Sequence, residues 1–299
     1  MPGRPDVTAT VTAPAPKDFQ FRRLQKPEEF RSVEEVHRAA GGLTEDDPVP
    51  TPVQRAVQDN GGMVLGAFAE IYLAGFTVGF LGWDGERLYH YSHVTAVRPE
   101  YQNHRLGFRL KTHQRDEVLR QGLDEIRSTF DPLQSRTAFL NVRRLGAVPD
   151  RYLLHYYGRL GSDPGESFES DRVHAVWKLS DPAVVARLEG KTPSKAEDEA
   201  RFASSQAIVE TELDEHGLRM PTAVQEPSSP TAHLEVPFDL GLIQQHAPSS
   251  LRKWRHATRD AFRAAFDTGY AIEDFAVVTP EHERRSVYFL RVKPGSPPV

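Results

Sequence analysis

Residues Val94–Leu110 read VTAVRPEYQNHRLGFRL, and this stretch gives the clearest indication of the fold. It begins as an apolar, β-branched run typical of a strand, turns at a Pro-Glu pair and continues as an amphipathic helix. The turn contains Gln102, Arg105 and Gly107. Free backbone N–H groups and the positive end of the helix dipole meet at such a helix start, where they can hold a phosphate. The stretch therefore predicts a site for a phosphorylated cofactor whose reactive end lies along the strand.

The composition excludes several kinds of site and partner. The chain has 37 basic and 42 acidic residues and a net charge of −5, which gives no general attraction to nucleic acid or to an acidic membrane. There is no cysteine, so disulfides, thiolate metal ligands and a cysteine nucleophile are excluded, and we expect no metal. No apolar run approaches the roughly 20 residues that span a membrane. The expected location is the cytoplasm.

The pattern of elements predicts four regions. Residues 1–18 are rich in Pro, Ala and Thr and lack the apolar core of a signal peptide, so we expect a disordered tail. In residues 19–188, mixed strands and helices predict an α/β (α+β) domain with a mixed central sheet flanked by helices. The charged, small-residue stretch 189–204 is predicted to be a linker. Residues 205–299 are predicted to form a C-terminal α+β extension that lacks a second copy of the Gln-x-x-x-x-Gly loop.

The loop and the residues after it resemble a known family. Gln102-x-x-Arg105-x-Gly107 resembles the pyrophosphate loop of the GNAT superfamily of acyl-CoA N-acyltransferases, usually written Gln/Arg-x-x-Gly-x-Gly/Ala. The family later carries a helix pattern that ends in Leu-Gly-Phe, and residues 135–147 align with it without a gap. The resemblance covers residues 19–179. It implies a GNAT-like fold and acetyl-CoA or another acyl-CoA as co-substrate.

A narrower resemblance is to a subgroup of predicted GNAT acyltransferases with a C-terminal extension. The shared residues are Ser92-His93, Phe130–Gln134, Asn141, Leu145–Ala147, Tyr157-Gly158, Trp254-Arg255, Arg259, Phe262 and Gly269-Tyr270. Genes of this subgroup can sit beside N-acylamino-acid racemases, where a succinyl-CoA-dependent amino-acid acylation has been assigned. The resemblance implies acetyl-CoA or succinyl-CoA as donor. It also implies the amine of a small molecule as acceptor, with amino acids among the candidates.

The resemblance also implies which residues bind the cofactor. The strand before the loop would offer backbone groups to the pantetheine arm, and the loop would hold the pyrophosphate. The predicted cofactor-binding residues are Thr95, Ala96, Val97, Gln102, Asn103, His104, Arg105, Leu106, Gly107, Phe108 and Asn141. Arg136, Arg143 and Arg144 could meet the 3′-phosphate of the nucleotide or could simply face solvent.

Two positions depart from the family pattern. Arg105 stands where glycine is usual, which limits how closely the backbone wraps a pyrophosphate unless the guanidinium itself contacts a phosphate. The usual general-acid tyrosine falls at Val142, which cannot donate a proton. Tyr156 and Tyr157 are candidate replacements, because a phenol can protonate a departing thiolate. The alternatives are that both tyrosines pack in the core or that solvent supplies the proton.

His93 is the candidate for the general base. Strand alternation places it on the same face as Tyr91, Thr95 and Val97. Histidine titrates near neutrality and can take a proton from an amine, although a structural histidine is an equal alternative. Asp131 ends the next strand and could be a base or could orient His93. A turn-forming or helix-capping role is the favoured interpretation for Asp131.

The hypothesis that follows is an N-acyltransferase in which the acceptor amine attacks acyl-CoA directly in a ternary complex. Its predicted catalytic residues are His93, Asp131 and Tyr156. A non-catalytic CoA-binding or regulatory module is the alternative, because Val142 replaces the usual acid. The expected partner is a small-molecule amine, with no nucleic acid and no membrane. The C-terminal residues around Trp254 could close the acceptor pocket or form a homodimer surface.

Overall fold

The computed structural model describes residues 19–41, 48–160 and 168–293 and contains both strands and helices. The strands of the N-terminal part are β1 (Gln20–Arg23), β2 (Met63–Ala69), β3 (Tyr72–Trp83), β4 (Leu88–Val97), β5 (Glu125–Phe130), β6 (Val148–Leu153), β7 (Arg159–Leu160), β8 (Phe168–Glu169) and β9 (Arg172–Lys178). Its helices are α1 (Pro27–Ala40), α2 (Thr51–Asp59), α3 (Leu106–Arg120), α4 (Ser135–Ala138) with a π-helical continuation (Phe139–Arg144), and α5 (Pro182–Leu188).

The C-terminal part contains helices and strands in similar proportion. Its elements are α6 (Lys195–Ser204), β10 (Gln206–Ala207), β11 (Val209–Leu213), β12 (Arg219–Val224), β13 (Thr231–Val236), α7 (Leu240–His246), α8 (Pro248–Asp267), β14 (Tyr270–Val278) and β15 (Arg285–Val292). Two short 3₁₀ segments, Pro99–Tyr101 and Pro280–His282, precede α3 and β15. The predicted tail, residues 1–18, lies outside the described residues.

Both main sheets are mixed. The larger has seven strands in the order β1-β2-β3-β4-β5-β9-β6, and the smaller has four in the order β10-β13-β15-β14. Within them, β4 with β5 and β10 with β13 pair in parallel, and the other pairs are antiparallel. The predicted α/β (α+β) class, with a mixed central sheet flanked by helices and a C-terminal α+β extension, is confirmed.

The large sheet carries helices on both faces. On one face, α1 buries Phe30, Val33 and Val36, which pack with Phe76 and Val78 of β3. These three residues recur at helical spacing and form the apolar stripe of α1. Burial of each side chain of this size stabilises the fold by about 1.5–3 kcal/mol. On the opposite face, α3 packs through a separate apolar cluster.

The C-terminal part shares an apolar core with the N-terminal part. Val142 and Leu145 from the end of the π-helix belong to the same cluster as Trp254, Phe262 and Tyr288. All five side chains are at most 2% exposed. The predicted division into two domains at this border stays a prediction.

The stretch predicted to be a linker contains α6. Ser194 accepts a hydrogen bond from the N–H of Glu197, and the Glu197 carboxylate accepts one from the N–H of Ser194, which together form a capping box. Asp198, in the first turn, is buried and ion-paired with Arg143. Residues 195–204 of the predicted linker are therefore helical, and the linker role itself stays a prediction. The Ser-x-x-Glu signal for this helix start is present in the sequence.

A buried ion pair ties the end of β5 to α8. Arg255 donates two hydrogen bonds to Asp131, at 2.8 and 2.7 Å, and the N–H of Leu133 donates a third at 2.9 Å. The side chains of Arg255 and Asp131 are 8% and 4% exposed.

In the described ranges, no helix is both long and apolar enough to cross a membrane.

Removing one partner of this pair should lower the free energy of unfolding far more than replacing both partners by apolar residues. We expect Asp131→Asn to lower the free energy of unfolding by about 3–5 kcal/mol, because it leaves the buried Arg255 charge unpaired. The double variant Asp131→Leu, Arg255→Met should recover most of that loss. Urea unfolding measures both. An Asp131→Asn loss below about 1 kcal/mol, the value of an exposed pair, would contradict this account.

Candidate active site

A cleft opens where β4 and β5 part. The two strands pair over three residues each, His90–Ser92 with Ile126–Ser128. From there to Val97, β4 has no strand partner on its β5 side among the described residues. Backbone N–H and C=O groups along a strand edge without a partner strand can form hydrogen bonds with a ligand. The cleft has a volume of about 1140 Å³ and is lined by both strands, the loop before α3, α4 and the π-helix.

A β-bulge at His93 lies at the mouth of this opening. Val78 of β3 pairs with Val94, and the next residue, Gly79, pairs with Ser92. His93 is therefore the extra residue in the register of β4 against β3. A bulge bends its strand and re-aims the side chains around it, and bulges are frequent beside active sites.

The bulge changes which side chains share a face. His93 lies with Tyr91, their ring centroids 6.5 Å apart, on the side of the sheet that α1 covers. Thr95 and Val97 instead face the side of α3, where Val97 packs with the apolar cluster of that helix. The prediction that His93 shares a face with Thr95 and Val97 was wrong, because simple alternation does not hold across an extra residue. The cleft therefore opens to both faces of the sheet, with His93 on the side of α1 and Thr95 on the side of α3.

The loop before α3 leaves the start of that helix uncapped. Asn103 and Arg105 both adopt left-handed backbone conformations, with φ of 64° and 57°. Arg105 is the N-cap residue, and its side chain makes no capping hydrogen bond. The first helical bond runs from the N–H of Arg109 to the carbonyl of Arg105, so the N–H groups of residues 106–108 are not used inside the helix. This is an anion-binding geometry.

Two further contacts shape the loop. The Gln102 side chain donates to the carbonyl of Val97 at 3.1 Å, which fastens the loop to the end of β4. A Cβ placed on Gly107 would lie 3.6 Å from Leu140 Cδ2, an ordinary contact. The protein itself therefore does not require glycine at this position. The absent side chain keeps space open in the cleft beside the uncapped N–H groups.

Three arginines, Arg105, Arg136 and Arg144, line the cleft. The guanidinium groups of Arg105 and Arg144 lie 5.4 and 5.1 Å from the ring centroid of Phe108. Burial, followed by the charges of Arg105 and Arg143, lowers the pKa of Arg144. Arg105, Arg136 and Arg144 have no carboxylate partner in the described part of the chain. The cleft thus suits a polyanion although the chain carries a net charge of −5.

The carboxylates in the cleft wall are already engaged. Asp131 is held by Arg255 and Asp198 by Arg143, while Asp239 accepts the N–H of Leu242 at the start of α7. Both oxygens of Asp131 are therefore already engaged by protein groups. The structure supports the turn-forming role that the sequence favoured for it, through the N–H of Leu133.

Arg143 is likewise unavailable to a nucleotide. It pairs with Asp198 at 2.7 Å and with Asp274 at 2.6 Å, and it donates to the carbonyl of Pro193 at 2.6 Å. Its side chain is 7% exposed. Of the three arginines that the sequence offers for the 3′-phosphate, Arg136 and Arg144 remain candidates.

Most of the residues predicted to bind the cofactor line the cleft. They are Thr95, Ala96, Val97, Gln102, Asn103, Arg105, Leu106, Gly107, Phe108 and Asn141. His104 is not among the lining residues, and its Nδ1 lies 2.8 Å from the carbonyl oxygen of Gln102. Asn141 donates to the carbonyl of Thr137 at 3.0 Å, which leaves its own side-chain carbonyl for other contacts.

Tyr156, the predicted proton donor, lies outside the cleft lining. Val142 is buried in the core. Tyr156 is 45% exposed, stacks edge-on against Tyr157 and does not line the cleft. Tyr91 is closer to it, because its hydroxyl lies 3.1 Å from Oγ1 of the cleft residue Thr129. Burial raises the pKa of Tyr91, so the phenol stays protonated at neutral pH.

Lys111 is a cleft residue that sequence reasoning missed. It is 4% exposed, and its amine donates to Ser92 Oγ at 2.7 Å and to Gln114 Oε1 at 2.8 Å. The Gln114 amide donates to His90 Nε2 at 3.1 Å. A signal was available, since Gly107, Lys111, Gln114 and Val118 share one helix face by spacing. Two polar residues thus occupy the sheet-facing side of α3.

Burial changes the ionisation of this network. It lowers the pKa of Lys111 from 10.5 to about 7. Burial, followed by the charge of Lys111, lowers the pKa of His90 to about 3, so this histidine is neutral. A buried lysine that is easily deprotonated and faces a cleft is a recognised mark of a functional site.

No protein-family model and no curated protein sequence matches the chain. Solved structures do. The Escherichia coli ribosomal-protein-S18-alanine N-acetyltransferase is 16% identical, with 55% of this chain and 96% of that chain covered and a TM-score of 0.45. A Salmonella typhimurium structure described as an acetyltransferase with its cofactor acetyl-CoA is 18% identical, with the same coverage and a TM-score of 0.45.

A third structure, of a GNAT-family protein from Desulfovibrio desulfuricans, is 17% identical, with 55% of this chain and 100% of that chain covered and a TM-score of 0.42. At these identities and scores the likeness is one of architecture over about half of the chain, and it decides nothing about activity.

Replacing Lys111 by methionine should stabilise the fold most at low pH. The unfolded chain binds the Lys111 proton up to about pH 10.5 and the folded chain only to about pH 7, so the cost of burial is complete below pH 7. We expect the gain in melting temperature of Lys111→Met to narrow between pH 7 and 10.5. Scanning calorimetry across this range measures it, and a gain independent of pH would contradict the assignment.

Proposed function

We propose that this chain is a GNAT-type N-acyltransferase, which moves an acyl group from acyl-CoA to the amine of a small molecule. One observation carries the proposal. The gap between β4 and β5 leads directly to the uncapped start of α3, and unpaired arginines stand beside it. An extended thiol arm attached to a pyrophosphate matches that combination of an open strand edge and an anion site. Amino acids are the acceptor class that the sequence resemblance favours.

Binding would rest on groups that are already placed. The N–H groups of residues 106–108 would receive the pyrophosphate, with Arg105 supplying the positive charge that a glycine could not. The open edge of β4 from His93 to Val97 would pair with the amides of the pantetheine arm. Backbone N–H groups near the bulge would stabilise the negative charge that develops on the thioester oxygen.

The acceptor would approach from the face covered by α1. On that face, His93 lies near Phe80 and Tyr91, with ring centroids 6.2 and 6.5 Å away. The amine nitrogen would attack the thioester carbon, and the C–N bond would form as the C–S bond breaks. His93 would take the proton that the amine loses. Tyr91, through Thr129, or solvent would return a proton to the departing thiolate.

A non-catalytic CoA-binding or regulatory module is the second candidate. The buried Val142 favours it, since the position at which the family carries its acid holds no proton donor. Turnover distinguishes the two. Release of free CoA from a panel of acyl-CoAs and amines supports the enzyme, whereas tight CoA binding without any release supports the module.

Gly107→Glu should abolish binding of CoA. A carboxylate there would occupy the space beside the uncapped N–H groups and repel the pyrophosphate. Gly107→Ala is the matched control, and because a Cβ at this position makes only an ordinary contact with Leu140, the variant should fold normally. Isothermal titration with CoA measures both. If the wild type itself does not bind CoA, the proposed function is wrong.

His93→Ala should lower the rate of acyl transfer more than the affinity for acyl-CoA. Loss of a general base typically costs about 10²–10⁴ in rate, while the cofactor contacts of β4 are made by its backbone. Single-turnover rates and acyl-CoA titrations separate the two effects. If His93→Ala turns over the true acceptor as fast as the wild type does, His93 has a structural role and is not the general base.

A further inference from the structure

The departing thiolate of the proposed reaction needs a proton, and the tyrosines considered so far do not reach it directly. The position at which the resembled family carries its acid is Val142, which is buried and cannot donate. Tyr156 lies outside the cleft lining, and Tyr91 meets the cleft through the hydroxyl of Thr129. A proton delivered to the sulfur as the C–S bond breaks drives the transfer forward. A donor inside the cleft would therefore complete the site.

Lys111 places a buried amine at the closed end of the cleft, where β4 and β5 are still paired. It lines the cleft together with Ser92 and Ser128, which are partners across the two strands. Ser92 Oγ and Gln114 Oε1 accept hydrogen bonds from Nζ at 2.7 and 2.8 Å, and the Ser92 hydroxyl donates its own proton to Gln114 Oε1 at 3.0 Å. An ammonium group has three N–H donors. The third has no acceptor among the described residues and is available to an atom bound in the cleft.

Burial makes this ammonium group a willing proton donor. It lowers the pKa of Lys111 from 10.5 to about 7, and no carboxylate pairs with Lys111 in the described part of the chain. The neighbouring titratable group, His90, is linked to it through Gln114 and is neutral because burial lowers its pKa to about 3. The Trp177 ring, 5.8 Å from Nζ, does not titrate. An ordinary thiol has a pKa of about 8.5, so proton transfer from Lys111 to a thiolate is favourable.

The distance from the loop to this amine matches the length of a pantetheine arm. From Val97, which accepts the Gln102 side chain beside the loop, to Ser92 the strand advances roughly 16 Å at about 3.3 Å per residue. The arm between pyrophosphate and sulfur consists of two amides joined by short alkyl segments, and it is as long as about four to five extended residues. A pyrophosphate at the start of α3 therefore places the sulfur beside Ser92 and Lys111.

We propose that Lys111 is the general acid of the transfer and donates a proton to the sulfur of the departing CoA. This inference rests on the proposed function. The acceptor amine attacks the thioester carbon, and the electron pair of the breaking C–S bond goes to sulfur. The third N–H of Lys111 gives its proton to this sulfur, which leaves CoA as the free thiol and Lys111 as a neutral amine. The neutral amine keeps its hydrogen bonds to Ser92 and Gln114 and regains a proton from solvent after CoA has left.

The two proton transfers then take place on opposite faces of the sheet. His93 lies on the side of α1, from which the acceptor approaches, whereas Lys111 reaches the cleft from α3 on the other side. Loss of the Lys111 proton also relieves the cost of a buried cation without an opposite charge. The base and the acid thus act from opposite sides of the thioester, and the route through Tyr91 and Thr129 is not needed.

Acetyl transfer from acetyl-CoA to hydroxylamine tests the inference, because this small amine needs no acceptor pocket and its product is measured by colour with iron(III). Lys111→Met should lower the saturated rate by about 10²–10⁴, the typical contribution of a general acid, and should change the dissociation constant of acetyl-CoA by less than about threefold. Lys253→Met, at an exposed lysine on α8, is the matched control and should keep the wild-type rate.

The pH profile separates proton donation from a structural role. The wild-type rate should fall as the pH rises and Lys111 loses its proton, and the profile of Lys111→Met should lack this alkaline fall. The chain contains no cysteine, so Lys111→Cys carries a single thiol that 2-bromoethylamine converts into a lysine analogue. This treatment should restore both the rate and the alkaline fall.

A donor that departs without a proton gives the decisive comparison. With acetyl-CoA that carries selenium in place of sulfur, the leaving selenolate is a much weaker base, and the loss in Lys111→Met should shrink to less than about tenfold. An equal loss with both donors assigns Lys111 to the fold and overturns the inference, as does a wild-type rate and pH profile in Lys111→Met.

Two further results are distinguished from these. If Lys111→Met does not fold, Lys111→Gln replaces it with the same expectations and the same overturning outcomes. Absence of CoA binding or of any acetyl transfer by the wild type is a different result, because it overturns the proposed function itself.

Discussion

The pairing of β4 with β5 stops after three residues, and the rest of the site depends on that limit. Parallel strands that stayed paired would use their backbone groups on each other and leave no opening. Here the extra residue at His93 bends β4, while the end of β5 is held toward the C-terminal part by Asp131 and Arg255. The gap, its free strand edge and its access to the start of α3 follow from these two features.

Buried charges in this protein divide into two kinds. Asp131 with Arg255, and Arg143 with Asp198 and Asp274, are closed groups in which each charge meets an opposite one. They connect the N-terminal and C-terminal parts. Lys111 is different, because it is as deeply buried but meets only neutral oxygens. Buried charges that are paired with each other have a structural role. A buried cation at a cleft without an opposite charge instead indicates a functional site.

The sequence located the loop and its strand, but it did not show which partners hold the candidate catalytic side chains. Binding by backbone N–H groups depends on a local strand, turn and helix, and such segments leave a clear pattern over a few residues. Asp131 looked like a candidate base until the structure showed Arg255, which is distant in sequence, holding both of its oxygens. The partner of a buried side chain cannot be read from local spacing. For the same reason, the sequence did not show that Arg143 pairs with Asp198 and Asp274.

The sequence by itself determined the fold class, the order of elements around Val94–Leu110 and the anion-binding start of α3, because local hydrophobic periodicity and turn residues dictate these. The tertiary structure alone decided which face His93 occupies, since the bulge arises from pairing with β3. It also decided that Lys111 is buried beside Ser92, where the sequence shows only a lysine on an amphipathic helix. Burial and long-range contacts set the ionisation of a side chain, and both exist only after the chain has folded.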